Sequence, residues 1–104
     1  RWGAIVSIFL HLPLKARRAL HERCVRALAP GGVILCEAYG QDQVRYRTGG
    51  PPEPHLLVRL DDLLGEFPGC RILHCYDGVR EVNEGRLHHG AAHVIQIVAR
   101  KPQR

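Results

Sequence analysis

Short apolar runs divide the chain into predicted strands. The first run, Ala4 to Leu10, shows little alternation between polar and apolar residues, which is typical of a strand covered on both faces of a parallel sheet. Further apolar runs span Val33 to Cys36, about Arg71 to Tyr76, and Ala92 to Arg100. The pattern therefore predicts four strands.

An amphipathic helix is predicted between the first two strands. It begins at Pro13, because the N–H that proline lacks is not needed at the first helical position. It runs to about Leu28, where the Pro30-Gly31-Gly32 sequence ends it. Its apolar row is Ala16, Leu20, Cys24 and Leu28, and its expected solvent side carries Lys15, Arg17, Arg18, Arg23 and Arg26.

A second helix, from about Leu56 to Phe67, is predicted between the second and third strands. Strands joined through helices form right-handed crossovers and lie parallel, so the first three strands should point the same way. No helix is predicted before the fourth strand, which should therefore pair antiparallel with the third. The expected fold class is α/β.

The parallel strands place polar segments at one edge of the sheet, here called the carboxyl edge. Leu10 to Leu12, Glu37 to Pro54 and Asp77 to Gly90 leave the carboxyl ends of the three strands. Open α/β sheets bind ligands at this edge. The segments contain most of the chemically useful side chains, namely His11, Glu37, Tyr39, Arg45, Tyr46, Arg47, Arg80, Glu81, Glu84, His88 and His89.

Composition narrows the class of protein. With 104 residues, 45% of them hydrophobic, the chain has enough material for one small core. No run of eighteen apolar residues occurs, so no membrane span is predicted. The net charge of +5 permits nucleic-acid binding, but the basic residues of the first helix are interpreted as a solvated face, and nucleic acid is not the favoured partner. The four cysteines lack zinc-binding spacing and are expected to be reduced, in a cytoplasmic protein.

Two stretches carry a family resemblance. Gly3-Ala-Ile-Val-Ser-Ile-Phe-Leu-His-Leu-Pro13, followed by Leu28-Ala-Pro-Gly-Gly-Val-Ile-Leu-Cys-Glu37, resembles the fourth strand, next helix and fifth strand of class I S-adenosylmethionine-dependent methyltransferases. The resemblance implies a partial Rossmann-like methyltransferase fold. In the family's sheet order, 3-2-1-4-5-7-6, this chain supplies strands 4, 5, 6 and 7, with the last antiparallel between strands 5 and 6.

Two later stretches extend the resemblance to nearly the whole chain. Tyr46-x-Thr-Gly-Gly-Pro51, and Glu84-Gly85 followed by His88 and Gly90, look like a bacterial subgroup akin to tellurite-resistance-type methyltransferases. Residues 1–104 are then the C-terminal part of one methyltransferase domain. The glycine-rich loop and acidic residue that hold the family's cofactor are absent, so the isolated chain should bind S-adenosylmethionine poorly and be inactive alone.

The resemblance implies roles for the first strand and its end. His11 is a candidate catalytic base, because imidazole titrates near neutral pH, and also a candidate cofactor neighbour. The alternative is that His11 only packs against the following turn. Ser7 and Phe9 are candidate contacts to the edge of the cofactor, with core packing as the alternative.

Glu37 is the second catalytic candidate. A carboxylate that follows an apolar run needs a partner, so it could hold an acceptor amine or a base, or form a salt bridge to an arginine such as Arg80. Candidate contacts to a small-molecule acceptor are Tyr39, Tyr46, Thr48, Gly49, Arg80, Glu81 and His88. Tyr46, Thr48 and Gly49 form either a lid or an ordinary Ω-loop.

No metal site is predicted, because adjacent histidines such as His88 and His89 point to opposite sides of an extended segment. Two other hypotheses stay open. One is a non-catalytic basic α/β module that binds RNA or a protein partner. The other is a truncated product that is largely unfolded, or that self-associates through its exposed first strand.

Overall fold

A computed structural model describes residues 1–46, 53, 56–83 and 89–103 of the chain. Its elements, in chain order, are β1 (Trp2–Ile8), α1 (Leu14–Ala27), β2 (Leu28–Tyr39), a 3₁₀ helix (Gln41–Arg45), α2 (Leu60–Leu64), β3 (Arg71–Asn83) and β4 (His89–Arg100). No helix in these ranges has the length and apolar character needed to cross a membrane.

The strands form one four-stranded sheet in the order β1-β2-β4-β3. β1 and β2 are parallel, whereas β4 is antiparallel to both β2 and β3. β1, β2 and β3 therefore point the same way, as predicted from the helical crossovers. The antiparallel fourth strand is also confirmed, and it lies between the second and third strands, as the family resemblance implied.

Both helices pack on one face of the sheet. Alternate residues of β2 and β4 supply the core beneath them, where Ile34, Ile97 and Ala99 are fully buried. Val25 of α1 and Leu63 of α2 pack on this layer. The two faces of the sheet are therefore called here the helix-covered face and the open face.

The open face carries exposed apolar side chains from the first two strands. Val6 is 60% exposed and Ile8 is 55% exposed, and Leu35 of β2 is also exposed. The continuous apolar run in β1 is typical of a strand buried on both sides. Within the part of the chain that the structure describes, only one of those sides is covered.

The Pro30-Gly31-Gly32 sequence ends α1 as predicted, but it forms a bulged turn inside β2, which begins at Leu28 and not at the predicted Val33. α1 ends at Ala27, and Gly31 adopts φ 78°, a left-handed conformation that glycine tolerates best. A Cβ on Gly32 would lie 2.9 Å from the carbonyl oxygen of Ala29, so the turn has no space for a side chain there. The Lys101 ammonium donates to the Leu28 carbonyl at 2.8 Å and satisfies one of the groups left at the helix end.

The predicted solvent side of α1 is wrong at Arg17. This side chain is buried, together with His21 one turn later. Both contact the carboxylate of Glu66, which follows α2 and is also buried. The helix is rotated towards α2 because this ion pair places a charged side chain inside the protein, which the spacing of apolar residues cannot reveal.

The predicted second helix is shorter than its leucine pattern indicates. Only Leu60–Leu64 is α-helical, whereas the prediction began at about Leu56. Val58 forms a parallel bridge with Gly40, and its N–H donates to the Tyr39 carbonyl at 2.9 Å. This pairing with the end of β2 holds the preceding backbone extended and delays the helix.

The third strand is longer than predicted. It continues past Tyr76 to Asn83, through a segment that the sequence analysis assigned to a polar connection. Every position from Cys75 to Asn83 pairs with β4. The cross-strand backbone hydrogen bonds therefore maintain strand geometry where the side-chain pattern has no clear period.

Candidate functional site at the carboxyl edge

The carboxyl edge brings several of the predicted site residues together on the open face. Ile8 of β1 lies opposite Glu37 of β2, and Glu37 lies opposite Gln96 of β4. Tyr39 follows Glu37 by two positions and so projects from the same face of the sheet. These strands place two groups of side chains next to each other, one aromatic and one ionic.

The aromatic group is formed by Phe9, His11 and Tyr39. The rings of Phe9 and Tyr39 are stacked with centroids 4.4 Å apart and planes inclined by 10°. His11 lies against the same tyrosine, with 5.9 Å between ring centroids and planes inclined by 50°. The end of β1 therefore packs its aromatic and imidazole rings onto the end of β2.

Phe9 achieves this position with an unusual backbone conformation. Its φ is 52°, a left-handed value that a bulky side chain rarely adopts. Its N–H donates to the Glu37 carbonyl at 2.7 Å, which fixes the strained residue to the neighbouring strand. Residues held in such conformations cluster at functional sites, because the surrounding structure must compensate for the strain.

The ionic group is centred on Glu37. Arg80 Nε donates to Glu37 Oε2 at 2.7 Å, and Arg80 Nη2 donates to Oε1 at 2.9 Å. Gln96 Nε2 adds a third hydrogen bond at 2.8 Å. The structure thus shows the salt bridge that the sequence analysis kept as the alternative role of Glu37.

The pKa of Glu37 follows from these contacts. Burial raises it, but the hydrogen bonds from Arg80 and Gln96, with the positive charge of Arg80, outweigh burial and lower it. Glu37 is therefore a carboxylate at neutral pH, and a base with a lowered pKa is poorly suited to accept a proton there. Its contacts suit it to hold Arg80 in place.

Gln96 and His74 extend the ionic group across the sheet, and both were missed by the sequence analysis. His74 Nε2 lies 3.0 Å from Gln96 Oε1. Because the Gln96 amide nitrogen donates to Glu37, its oxygen is the acceptor and His74 Nε2 carries the hydrogen. The signal for Gln96 in the sequence is its position as a polar residue between the apolar Ile95 and Ile97.

His93 anchors the 3₁₀ helix that follows β2, and it too was missed. Its Nδ1 accepts a hydrogen bond from the Asp42 N–H at 3.0 Å, so its Nε2 is the protonated nitrogen and donates to Asp77 at 2.6 Å. Its backbone N–H donates to the Gln43 side chain at 2.9 Å. A Cβ on Gly40 would overlap the His93 ring, so glycine is required where β2 enters this turn.

The other predicted site residues lie elsewhere. Ser7 projects onto the helix-covered face, where its hydroxyl hydrogen-bonds the thiol of Cys36, and burial raises the pKa of that thiol to about 12. Tyr46 is half-buried directly after the 3₁₀ helix. Glu81 is exposed, and only its backbone carbonyl contacts Arg80. Thr48, Gly49 and His88 lie outside the described residues.

Comparison with solved structures finds a similar fold in other proteins. A protein solved in work on the conversion of a disulfide bond into a thioacetal group during echinomycin biosynthesis matches with a TM-score of 0.70 and 17% identity, over 100% of this chain and 50% of that one. The N-methyltransferase NodS from Bradyrhizobium japonicum WM9 matches with a TM-score of 0.63 and 14% identity, over 96% and 51%. An S-adenosylmethionine-dependent methyltransferase from Anabaena variabilis ATCC 29413 matches with a TM-score of 0.61 and 15% identity, over 94% and 48%.

No protein-family model and no curated protein matches the sequence. At 14–17% identity, the likeness to solved structures establishes the fold alone. The chain spans about half the length of the structures it matches. Its four-stranded mixed α/β sheet is therefore a methyltransferase-like fold.

Proposed function

We propose that this chain supplies the acceptor side of an S-adenosylmethionine-dependent methyl-transfer site, as the C-terminal part of a methyltransferase domain. The observation that carries the proposal is the strained Phe9, which stacks on Tyr39 beside His11 at the carboxyl edge. The methyltransferase-like fold supports it. The finer assignment, a bacterial small-molecule methyltransferase akin to the tellurite-resistance type, rests on the resemblance of the sequence motifs.

The residues present do not fit the whole cofactor. The sequence contains no Gly-x-Gly turn after a strand, and Glu37, at the end of β2, is already engaged by Arg80 and Gln96. Ser7 faces Cys36 on the other side of the sheet. The isolated chain is therefore expected to lack a cofactor site, and no chemical step is assigned to it alone.

Within a complete site, His11 is the residue proposed to accept a proton from the acceptor. Methyl transfer requires alignment of donor and acceptor, and a base where the acceptor carries a proton. The contact of His11 with Tyr39 fixes the position of the imidazole relative to two strands. Glu37 and Arg80 are proposed to form one wall of the site beside it, where Glu37 balances the charge of Arg80.

The cofactor claim is tested by calorimetric titration of the isolated chain with S-adenosylmethionine. No saturable binding is expected. Binding in the micromolar range would show that the chain contains a cofactor site at residues other than those considered, and the acceptor-side proposal would then be wrong.

The family claim is tested by the genomic sequence upstream of the codon for Arg1. It should encode a strand followed by a Gly-x-Gly turn, and then a second strand that ends in an acidic residue. An upstream sequence without these features would eliminate the methyltransferase proposal, whatever the behaviour of the isolated chain.

The role of His11 is tested in the longer protein defined in that way. Transfer of a labelled methyl group to candidate acceptors would be compared for His11→Ala and for Lys15→Ala, which alters an exposed residue of α1. Loss of a general base should lower kcat by about 10²- to 10⁴-fold, whereas the control should keep full activity. Equal activity of the two variants would exclude His11 as the base.

A further inference from the structure

A second polar feature lies at the opposite end of the sheet from the carboxyl edge. Arg71 at the start of β3 pairs directly with Arg100 at the end of β4. Directly opposed residues of an antiparallel pair share a face, with Cβ atoms about 4.5–5.5 Å apart. Both arginines are exposed. They border a cavity that is also lined by Lys101 and Gly69, and these four residues are called here the basic cradle.

The basic cradle brings positively charged residues together. Like charges that face each other across two strands repel, so such a pair is unfavourable in the absence of a ligand. Among the residues that the structure describes, those lining this cavity include no aspartate or glutamate. Within the described ranges, Arg17 and Arg80 each have a carboxylate partner, whereas neither Arg71 nor Arg100 forms an ion pair.

The backbone holds the cradle in a fixed geometry. The Lys101 N–H donates to the Gly32 carbonyl at 2.8 Å, and the Gly31 N–H donates to the Lys101 carbonyl at 3.1 Å. The Lys101 ammonium donates to the Leu28 carbonyl at 2.8 Å, so its charge lies at the C-terminal end of α1. On the other strand, the Cys70 N–H donates to the Phe67 carbonyl at 3.2 Å, immediately before Arg71.

Two planar guanidinium groups on one face match the oxygens of a phosphate group, which arginine binds through paired hydrogen bonds. The cavity has a volume of about 360 Å³, which is the size of a site for a small organic ligand and exceeds what a bare phosphate ion needs. We propose that the basic cradle binds the phosphate group of a small phosphorylated molecule. Arg71 and Arg80 are nine positions apart on one strand, about 30 Å, so this site is independent of the methyl-transfer proposal.

The test is a titration of the ¹⁵N-labelled chain with ribose 5-phosphate, followed through the Nε–H signals of the arginines. Saturable shifts of the Arg71 and Arg100 signals are expected, and ribose without the phosphate should leave both signals unchanged. The Arg71→Gln/Arg100→Gln variant should bind at least about tenfold more weakly. Arg100→Lys, which keeps the charge but loses the planar fork, should weaken binding by about threefold or more.

The matched control is Arg18→Gln/Arg23→Gln, which removes the same charge from exposed positions of α1. It should bind ribose 5-phosphate as tightly as the unmodified chain. Equal loss of affinity in the two double variants would mean that only net charge matters, and would overturn the proposal. A short single-stranded RNA that binds more tightly than ribose 5-phosphate, with a steep loss of affinity as salt is added, would assign the surface to nucleic acid instead.

Discussion

Replacing Glu66 by glutamine leaves the guanidinium of Arg17 buried without its counter-charge. In the structure Arg17 Nε lies 3.0 and 2.9 Å from the two carboxylate oxygens, and Nη2 lies 2.6 Å from Oε2. His21 Nδ1 is 2.7 Å from Oε1. The exposed fractions are 3% for Arg17, 1% for His21 and 4% for Glu66, so water cannot replace the lost partner.

The size of the effect follows from this burial. Breaking a buried ion pair by removing one partner typically costs about 3–5 kcal/mol, because an uncompensated charge remains inside. A domain of this size has a free energy of unfolding of about 5–15 kcal/mol, so Glu66→Gln removes a large part of it. The matched control is Glu22→Gln, since Glu22 and Arg26 form an exposed pair at 3.9 Å, and such pairs contribute about 0–1 kcal/mol.

Urea denaturation followed by circular dichroism measures the difference. With a slope of about 1–3 kcal/mol per molar urea, Glu66→Gln should lower the midpoint by about 2 M, and Glu22→Gln should hardly move it. The Arg17→Met/Glu66→Leu variant removes both charges, and because such a replacement is often neutral, it should be more stable than Glu66→Gln by about 3–5 kcal/mol. A free energy of unfolding for Glu66→Gln within about 1 kcal/mol of the unmodified chain would refute the argument.

Three further predictions concern the pH dependence of stability, the Pro-Gly-Gly turn and self-association. Burial raises the pKa of Glu66, but the hydrogen bonds from His21 and Arg17 outweigh burial and lower this pKa. The carboxylate therefore stabilises the fold above the unfolded pKa of about 4.3, and this stabilisation is lost as the pH falls below that value. Urea midpoints between pH 7 and pH 3 should therefore decline less steeply in Glu66→Gln, and equal slopes would contradict this. Gly32→Ala should lower the free energy of unfolding by about 1–3 kcal/mol, because the new Cβ would meet the Ala29 carbonyl. Gly3→Ala is the control, since Gly3 has open space around it and the change should be tolerated. Thermal denaturation of the two variants measures the difference. The chain should self-associate through β1, and Ile8→Lys should shift its sedimentation towards the monomer, which an unchanged distribution would disprove.

The positions and directions of the strands follow from features that a single sequence contains, whereas their order in the sheet was implied only by the family resemblance. Apolar runs locate the strands, and crossover rules fix their direction. The Pro-Gly-Gly turn is predictable for a local reason, since Gly31 has a left-handed φ and Gly32 has no space for a side chain. The left-handed φ of Gly31 and the approach of the Ala29 carbonyl to Gly32 act within a few residues, and so they appear directly in the sequence, although the Trp2 and Gly3 carbonyls of β1 also crowd Gly32.

The wrong predictions for Arg17 and for the start of the second helix have a long-range origin. Arg17 is buried by a carboxylate 49 positions away, and a basic residue on a helix gives no indication of such a partner. Val58 has the neighbours of a helical residue in the sequence, but its N–H is bound by Tyr39 at the end of β2. In both cases a long-range contact overrides the local pattern.

The same distinction between local patterns and long-range contacts applies to the candidate site. The meeting of His11, Glu37 and Tyr39 at one edge was predictable, because parallel strands end together. The two alternatives for Glu37 could be separated only by the structure, which shows Arg80 within 2.7 Å. Gln96 and His74 were missed because their roles depend on the register between β2, β4 and β3, which the sequence does not show.

The distribution of polar contacts also bears on what the chain can do alone. On the helix-covered face the buried charges are mutually satisfied, as Glu66 binds both Arg17 and His21. At the carboxyl edge Glu37 is neutralised by Arg80, and the strained Phe9 is held by a hydrogen bond to β2. In the function proposed above, this surface positions an acceptor, and its paired charges are not available to hold a cofactor. On the same proposal, the exposed apolar side chains beside it are the place where a second surface packs against the open face.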